Sequence, residues 1–286
     1  MNTLPDPYRP NAASRQPKHA LGSVPVTSSL DRKSSNPAAP GPSWWASGSH
    51  PRSACSCRCR CGRAVGNHVA FNGDAEGDTI TGFGSVFGSL VGGDTIFGDS
   101  GDNYLQAGPN SYLNGGPGGN DTFEGGAGDT LVGGGGGFNW VWYDQSSLPV
   151  WVNLATGHGS SGAADGDSLY NIQAVRGSPF SDALWGNRSG ETVLDGGGGN
   201  DLLVGMGGVN YYECDGTTWG YTEIWDFAHG TDKIAVSSAA FADFAAISSH
   251  MSQVGRDTVI AYDAGDTIKL DHVNHSILTA SDFLIC

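Results

Sequence analysis

A phrase of about nine residues recurs from residue 71 onward and constrains the fold more than any other feature of the chain. It runs through GDAEGDTIT, GDSGDNYLQ, GPGGNDTFE, GGAGDTLVG, GAADGDSLY, GSPFSDALW, GGGGNDLLV and GMGGVNYYE: small residues, then Asp or Asn, then a spacer and an apolar residue. This is the spacing G-G-x-G-x-D-x-U-x, with U apolar, that builds a calcium-binding parallel β-helix. Gly196–Val204 matches it in full, and the other copies match in part with the apolar position kept. Turn chemistry alone accounts for Gly beside Asp, but it does not require an apolar residue at a fixed offset.

The spacing has a direct physical reading. Three residues x-U-x make a short strand with one side chain inward, and the six small residues before them reverse the chain where glycine enters positive φ at little cost. Two phrases complete one coil of about 18 residues. The expected interior is Ile80, Ile96, Leu105, Leu113, Phe123, Leu131, Trp140, Leu169, Leu184, Leu194, Leu203 and Tyr212. With 46 Gly in the chain, one apolar residue per half-coil is too little to offset the entropy lost on folding. A further source of free energy is needed.

Charge suggests that source. The net charge of −15 divides unevenly: residues 1–66 hold 9 Lys/Arg against 2 Asp/Glu, leaving 5 against 27 in residues 67–286. A body at −22 repels nucleic acid and anionic membrane surfaces and attracts hard cations. Aspartates at the sixth position of turns one coil apart share an edge, where they and glycine carbonyls can supply the six to eight oxygens that calcium takes. Asn103 and Asp121 have that separation, and Asp182 and Asp201 nearly so.

Around these residues the chain resembles the RTX (hemolysin-type) calcium-binding repeat proteins. VNLATG at 152–157, GDSLYNIQAVRGSPFSDALWGN at 166–187, DFAHGTDKI at 226–234 and LTASDFLI at 278–285 are similar to the C-terminal regions of serralysin-type proteases. The resemblance implies an all-β fold, a parallel β-roll binding several Ca2+ ions, with a small mixed C-terminal cap. It implies side-chain ligands Asn103, Asp121, Asp129, Asp167, Asp182 and Asp201, carbonyl ligands from Gly196, Gly197 and Gly199, and export unfolded by a type I (ABC transporter) apparatus. Position six is filled by Ser111, Phe138, Thr192 and Asn210 in some turns, so fewer ions than half-coils are expected.

The expected organisation is a disordered leader over 1–66, repeats over 67–213 and the cap with the secretion region over 214–286. In the cap, Ala239–Met251 is expected to be a helix burying Phe241, Phe244, Ala245 and Ser248, and Thr258–Tyr262 with Thr267–Leu270 a hairpin. No apolar run long enough to span a membrane occurs, and no cleavable signal peptide is read at the N-terminus, so an extracellular location relies on the C-terminal route.

Enzyme motifs are absent: there is no His-Glu-x-x-His or Gly-x-Ser-x-Gly, GGGGG at 133–137 lacks the Lys of a phosphate loop, and His272 and His275 sit in a polar stretch. The expectation is a non-enzymatic secreted calcium-binding protein. The alternative is the secretion and folding module of an RTX enzyme whose catalytic domain is absent from this chain.

Overall fold

The computed structural model describes residues 68–70, 79–81 and 84–286 except 217; the leader expected over 1–66 lies outside them. Short strands wind alternately into a ten-stranded and a thirteen-stranded sheet. Within each sheet nearly every neighbour is one coil away in sequence and parallel: Val86 faces Leu105, Leu105 faces Phe123, and Ile96 faces Leu113. The fold is a parallel β-roll.

The repeat sequence dictates these strands. Thr95–Phe97, Tyr104–Gln106, Tyr112–Asn114 and Thr130–Val132 are each three residues long, with only the middle side chain fully buried. Ile96, Leu105, Leu113, Phe123, Leu131, Leu184, Leu194, Leu203 and Tyr212 are wholly inside, and Leu169 nearly so. Ile80 stands in register with Ile96.

Trp140 departs from the expected interior. Val141 is the inward residue of Trp140–Trp142, while Trp140 packs outside the roll with Ala174 and Val193. Five consecutive glycines precede this strand, so the phase can be set from Gly133 or from Gly134. The structure uses the later one, which makes Asn139, rather than Phe138, the sixth residue of its turn.

Residues 143–170 break the winding of one sheet only. In the ten-stranded sheet Trp140–Trp142 pairs directly with Ala174–Arg176. In the other, Trp151–Asn153 skips ahead to pair with Ala183–Trp185. His158–Ser160 then turns back, antiparallel, into the gap before Ser168–Tyr170 rejoins Thr130–Val132.

Both sheets continue through residue 214. Val209–Cys214 pairs with Lys233–Val236, which pairs with Phe283–Ile285. Asn200–Val204 pairs with Tyr221–Ile224, which pairs with Thr267–Leu270. The expected hairpin is present, with Asp257–Ala261 antiparallel to Thr267–Leu270, and Met251–Val254 adds a further edge strand. The helix is shorter than expected: Phe244–Ser249, capped by Asp243, whose carboxylate accepts from Ala246 N at 2.8 Å. It buries Ile247, while Ala245 and Ser248 are exposed.

Candidate functional site

The roll has two turn edges, and the sixth residue of each turn starts the next strand. On the edge leading into the thirteen-stranded sheet, the sixth residues are Asp94, Ser111, Asp129 and Asp167 and, from the interrupted stretch 143–170 onward, Val150, Asp182 and Asp201. On the edge leading into the ten-stranded sheet they are Asn103, Asp121, Asn139, Gln173, Thr192, Asn210 and Asp232. The first edge is rich in carboxylates and the second in amides. The expected side-chain ligands divide between them: Asp129, Asp167, Asp182 and Asp201 on the first, Asn103 and Asp121 on the second.

Along each edge the sixth side chain accepts a hydrogen bond from the backbone N–H of the sixth residue one coil earlier. On the first edge Ser111 N donates to Asp129 Oδ1 and Asp129 N to Asp167 Oδ1, both at 2.8 Å. From the interrupted stretch onward Val150 N donates to Asp182 Oδ1 at 2.7 Å, and Asp182 N to Asp201 Oδ1 at 2.9 Å. On the second edge Asn103 N donates to Asp121 Oδ1 at 3.0 Å across a sequence separation of 18. Asp121 N in turn donates to Asn139 Oδ1 at 2.9 Å. These ladders satisfy N–H groups that the turning backbone would otherwise bury without partners.

The carboxylates differ in what their second oxygen meets. Asp129 Oδ2 accepts from Gly126 N at 2.9 Å, and Asp182 Oδ2 accepts from Ser178 N. Asp167 Oδ2 accepts from the Tyr143 hydroxyl at 2.7 Å. Asp94 Oδ1, Asp121 Oδ2 and Asp201 Oδ2 are buried with no hydrogen-bond partner. Among buried groups such orphaned charged oxygens are costly, and the cost falls if a proton or a cation neutralises them.

Desolvation is the largest effect on these groups. It pushes Asp121 up to about 7 and Asp201 up to about 8, although N–H donors from Asn103 and Asp182 pull the other way. Burial likewise raises Asp129 to about 8 and Asp167 to about 7, against the opposing donors at Ser111 and Tyr143. Asp182 is also raised by burial. Burial thus makes each of these carboxyls harder to ionise than it is in water.

The glycines expected to lend carbonyls lie in the turn of Asp201. Gly196 faces Asp201 Oδ2 so closely that a Cβ there would collide with it. Gly197, at φ 80°, donates its N–H to Asp195 Oδ1 at 2.8 Å, and Gly199 gives its carbonyl to Tyr221 N at 2.9 Å. Among the described residues no three His, Cys, Asp or Glu side chains converge as a metal site. The donor set therefore fits a hard cation only as single carboxylates joined by turn carbonyls, all oxygen, which is the ligand type calcium takes.

Two residues escaped the sequence reading. Asp94 follows Gly-Gly and precedes Thr-Ile, the same Asp-Thr-aliphatic order as Asp129–Leu131, and that match could have found it. Tyr143 is wholly buried, its ring fills the space above Gly125, and it belongs to no repeat. His272 and His275 are exposed in the loop after Thr267–Leu270.

No model of a known protein family matches the chain, and no curated protein matches it by sequence. Among solved structures it is similar to the extracellular lipase LipA from Serratia marcescens, at 16% identity and a TM-score of 0.32. That likeness covers 67% of this chain and 40% of the lipase chain.

Proposed function

We propose that this protein is a secreted calcium-binding β-roll of the RTX type that folds when its edge carboxylates take up calcium outside the cell. The observation that carries the reading is the set of buried, unpartnered oxygens on Asp94, Asp121 and Asp201. Bound calcium would supply the positive charge that these desolvated oxygens lack. Asp201, with turn carbonyls from Gly196, Gly197 and Gly199, offers the most complete oxygen set. Asp129, Asp167 and Asp182 already use both oxygens in hydrogen bonds, so they order the turns and present remaining lone pairs to an ion. The role is that of a scaffold rather than a catalyst.

Export follows from the same chemistry. At low cytosolic calcium the acidic body repels itself and stays uncollapsed, and external calcium then favours the folded state by mass action. Type I export would be directed from the C-terminal segment.

Calorimetric titration of the full chain tests the binding: the expected result is saturable calcium uptake at about 10⁻⁴–10⁻³ M. Absence of uptake overturns the reading. In a host with a matching type I transporter, deleting residues 278–286 should retain the protein inside the cell. Full secretion of that deletion, without lysis, contradicts the export part.

A further inference from the structure

Different turns place different atoms at the same point. Asp201 Oδ2 lies against Gly196 and Asp121 Oδ2 against Gly115, each filling the room a Cβ would need. At the equivalent point Asn139 Nδ2 lies against Gly133, and Asn210 Nδ2 against Gly205. An oxygen in this position has no partner at Asp201 and Asp121. A nitrogen has several. Asn139 Nδ2 donates to Asn171 O at 3.0 Å and to Gly136 O at 3.3 Å, thereby joining a carbonyl of its own turn to one of the turn stacked on it. Asn210 Nδ2 reaches Asp232 Oδ1 at 3.1 Å and Gly207 O at 3.4 Å.

Gathering carbonyl oxygens from successive turns is what a cation does in an edge site. An NH₂ group does the same with two N–H donors and no ion. Asn103 and Gln173 use their amides differently, each donating to a side-chain oxygen of its own turn. Asn103 accepts from Asp99 N at 2.9 Å and donates to Asp99 Oδ1 at 3.2 Å. Gln173 accepts from Asn139 N and donates to Asn171 Oδ1, both at 2.9 Å. Asp232, a carboxylate on this edge, has both oxygens occupied by N–H donors from Asn210 and Ala228.

We propose that the side-chain amide of Asn139 stands in for calcium in its turn on the edge that leads into the ten-stranded sheet, so that this turn closes without the ion, whereas Asn210, whose Oδ1 is buried without a partner, closes its turn less completely. Ions then load at turns whose sixth residue keeps an unpartnered carboxyl oxygen, Asp94 and Asp201 on one edge and Asp121 on the other. This rests on the calcium reading given above and adds to it which turns are independent of the ion.

The test uses the full chain with calcium alone as the probe, measuring ion number by calorimetry and folding by circular dichroism. Asn139→Asp replaces the donating nitrogen with an oxygen that faces two carbonyls. The expected result is a protein that folds only at several-fold higher calcium than the parent and binds one further ion. An unchanged ion number together with an unchanged calcium midpoint overturns the proposal.

Asn139→Ala decides the case if the first variant fails to fold at any calcium concentration. It should melt at lower temperature in saturating calcium with the parent's ion number retained. Loss of an ion in Asn139→Ala makes Asn139 a ligand and overturns the proposal while leaving the calcium reading intact. A parent chain that binds no calcium at all overturns the reading itself.

Discussion

The carboxylate edge and the amide edge are built from the same turns and the same backbone ladder, yet they solve the problem of a buried polar turn differently. At Asp129, Asp182 and Asp201 the ladder is made of groups that burial makes reluctant to ionise. At Asn139 and Asn210 neutral amides complete the same geometry with their own donors. The first leaves a carboxyl oxygen buried without a donor at Asp201, and the second fills the same point at Asn139 with a nitrogen that has two acceptors.

The sharpest way to break this comparison is to remove one group from each region. Asp201→Ala should raise the calcium concentration at the folding midpoint several-fold, since it deletes a buried oxygen with no other partner. Asp257→Ala should leave that midpoint where it is: Asp257 lies outside both ladders, on the cap hairpin, and meets Lys269 at 3.4 Å. Equal midpoints for the two variants, read by circular dichroism, contradict the assignment of Asp201.

Acidity should move the calcium-free protein in a defined direction. Asp121, Asp129, Asp167 and Asp201 are raised from the ordinary carboxylate value of 3.8 to about 7 or 8 by burial. The folded state therefore binds more protons than the unfolded one. Its stability is greatest below the unfolded value and is lost as pH rises through the folded values. In chelator, lowering the pH from about 9 to about 5 should increase the β signal, whereas calcium affinity should rise with pH because bound carboxylates must be ionised. A calcium-free spectrum indifferent to pH would remove the desolvated carboxylates from the account.

A smaller effect is expected at the insertion. Tyr143→Phe removes the hydroxyl that serves Asp167 Oδ2 and leaves the ring over Gly125 in place. Losing that bond should cost about 1–3 kcal/mol in calcium-saturated protein by denaturant titration. No change in stability would mean that Asp167 finds another donor.

Much of the roll is legible in the sequence, because U residues such as Leu113, Leu131 and Leu203 each fix one strand and its inward face. The limits have specific causes. A run of five glycines carries no phase, so a count from Gly133 misplaces the inward residue and the sixth residue of the turn by one position each, from Val141 and Asn139. His158–Ser160 is antiparallel and contains no repeat, so the fold-back that interrupts the carboxylate edge has no periodic signal. Alternation of edges is implied by the nine-residue period, but a ligand set pooled from both edges hides it. The chemistry of Asn at position six is hidden for a related reason: as a weaker form of Asp it looks like a degraded repeat, whereas its donor nitrogen is the feature that closes the turn. Tyr143 has no sequence signal, since its contact with Asp167 depends on how the chain leaves the strand Trp140–Trp142.

The central claim is that buried edge carboxylates make folding of the roll depend on calcium. Circular dichroism of the full chain at about pH 8, in chelator and then at millimolar calcium, tests it most directly. The account predicts a largely unfolded spectrum in chelator and a cooperative gain of β-structure on adding calcium. A fully formed β spectrum in chelator that calcium does not change would contradict it.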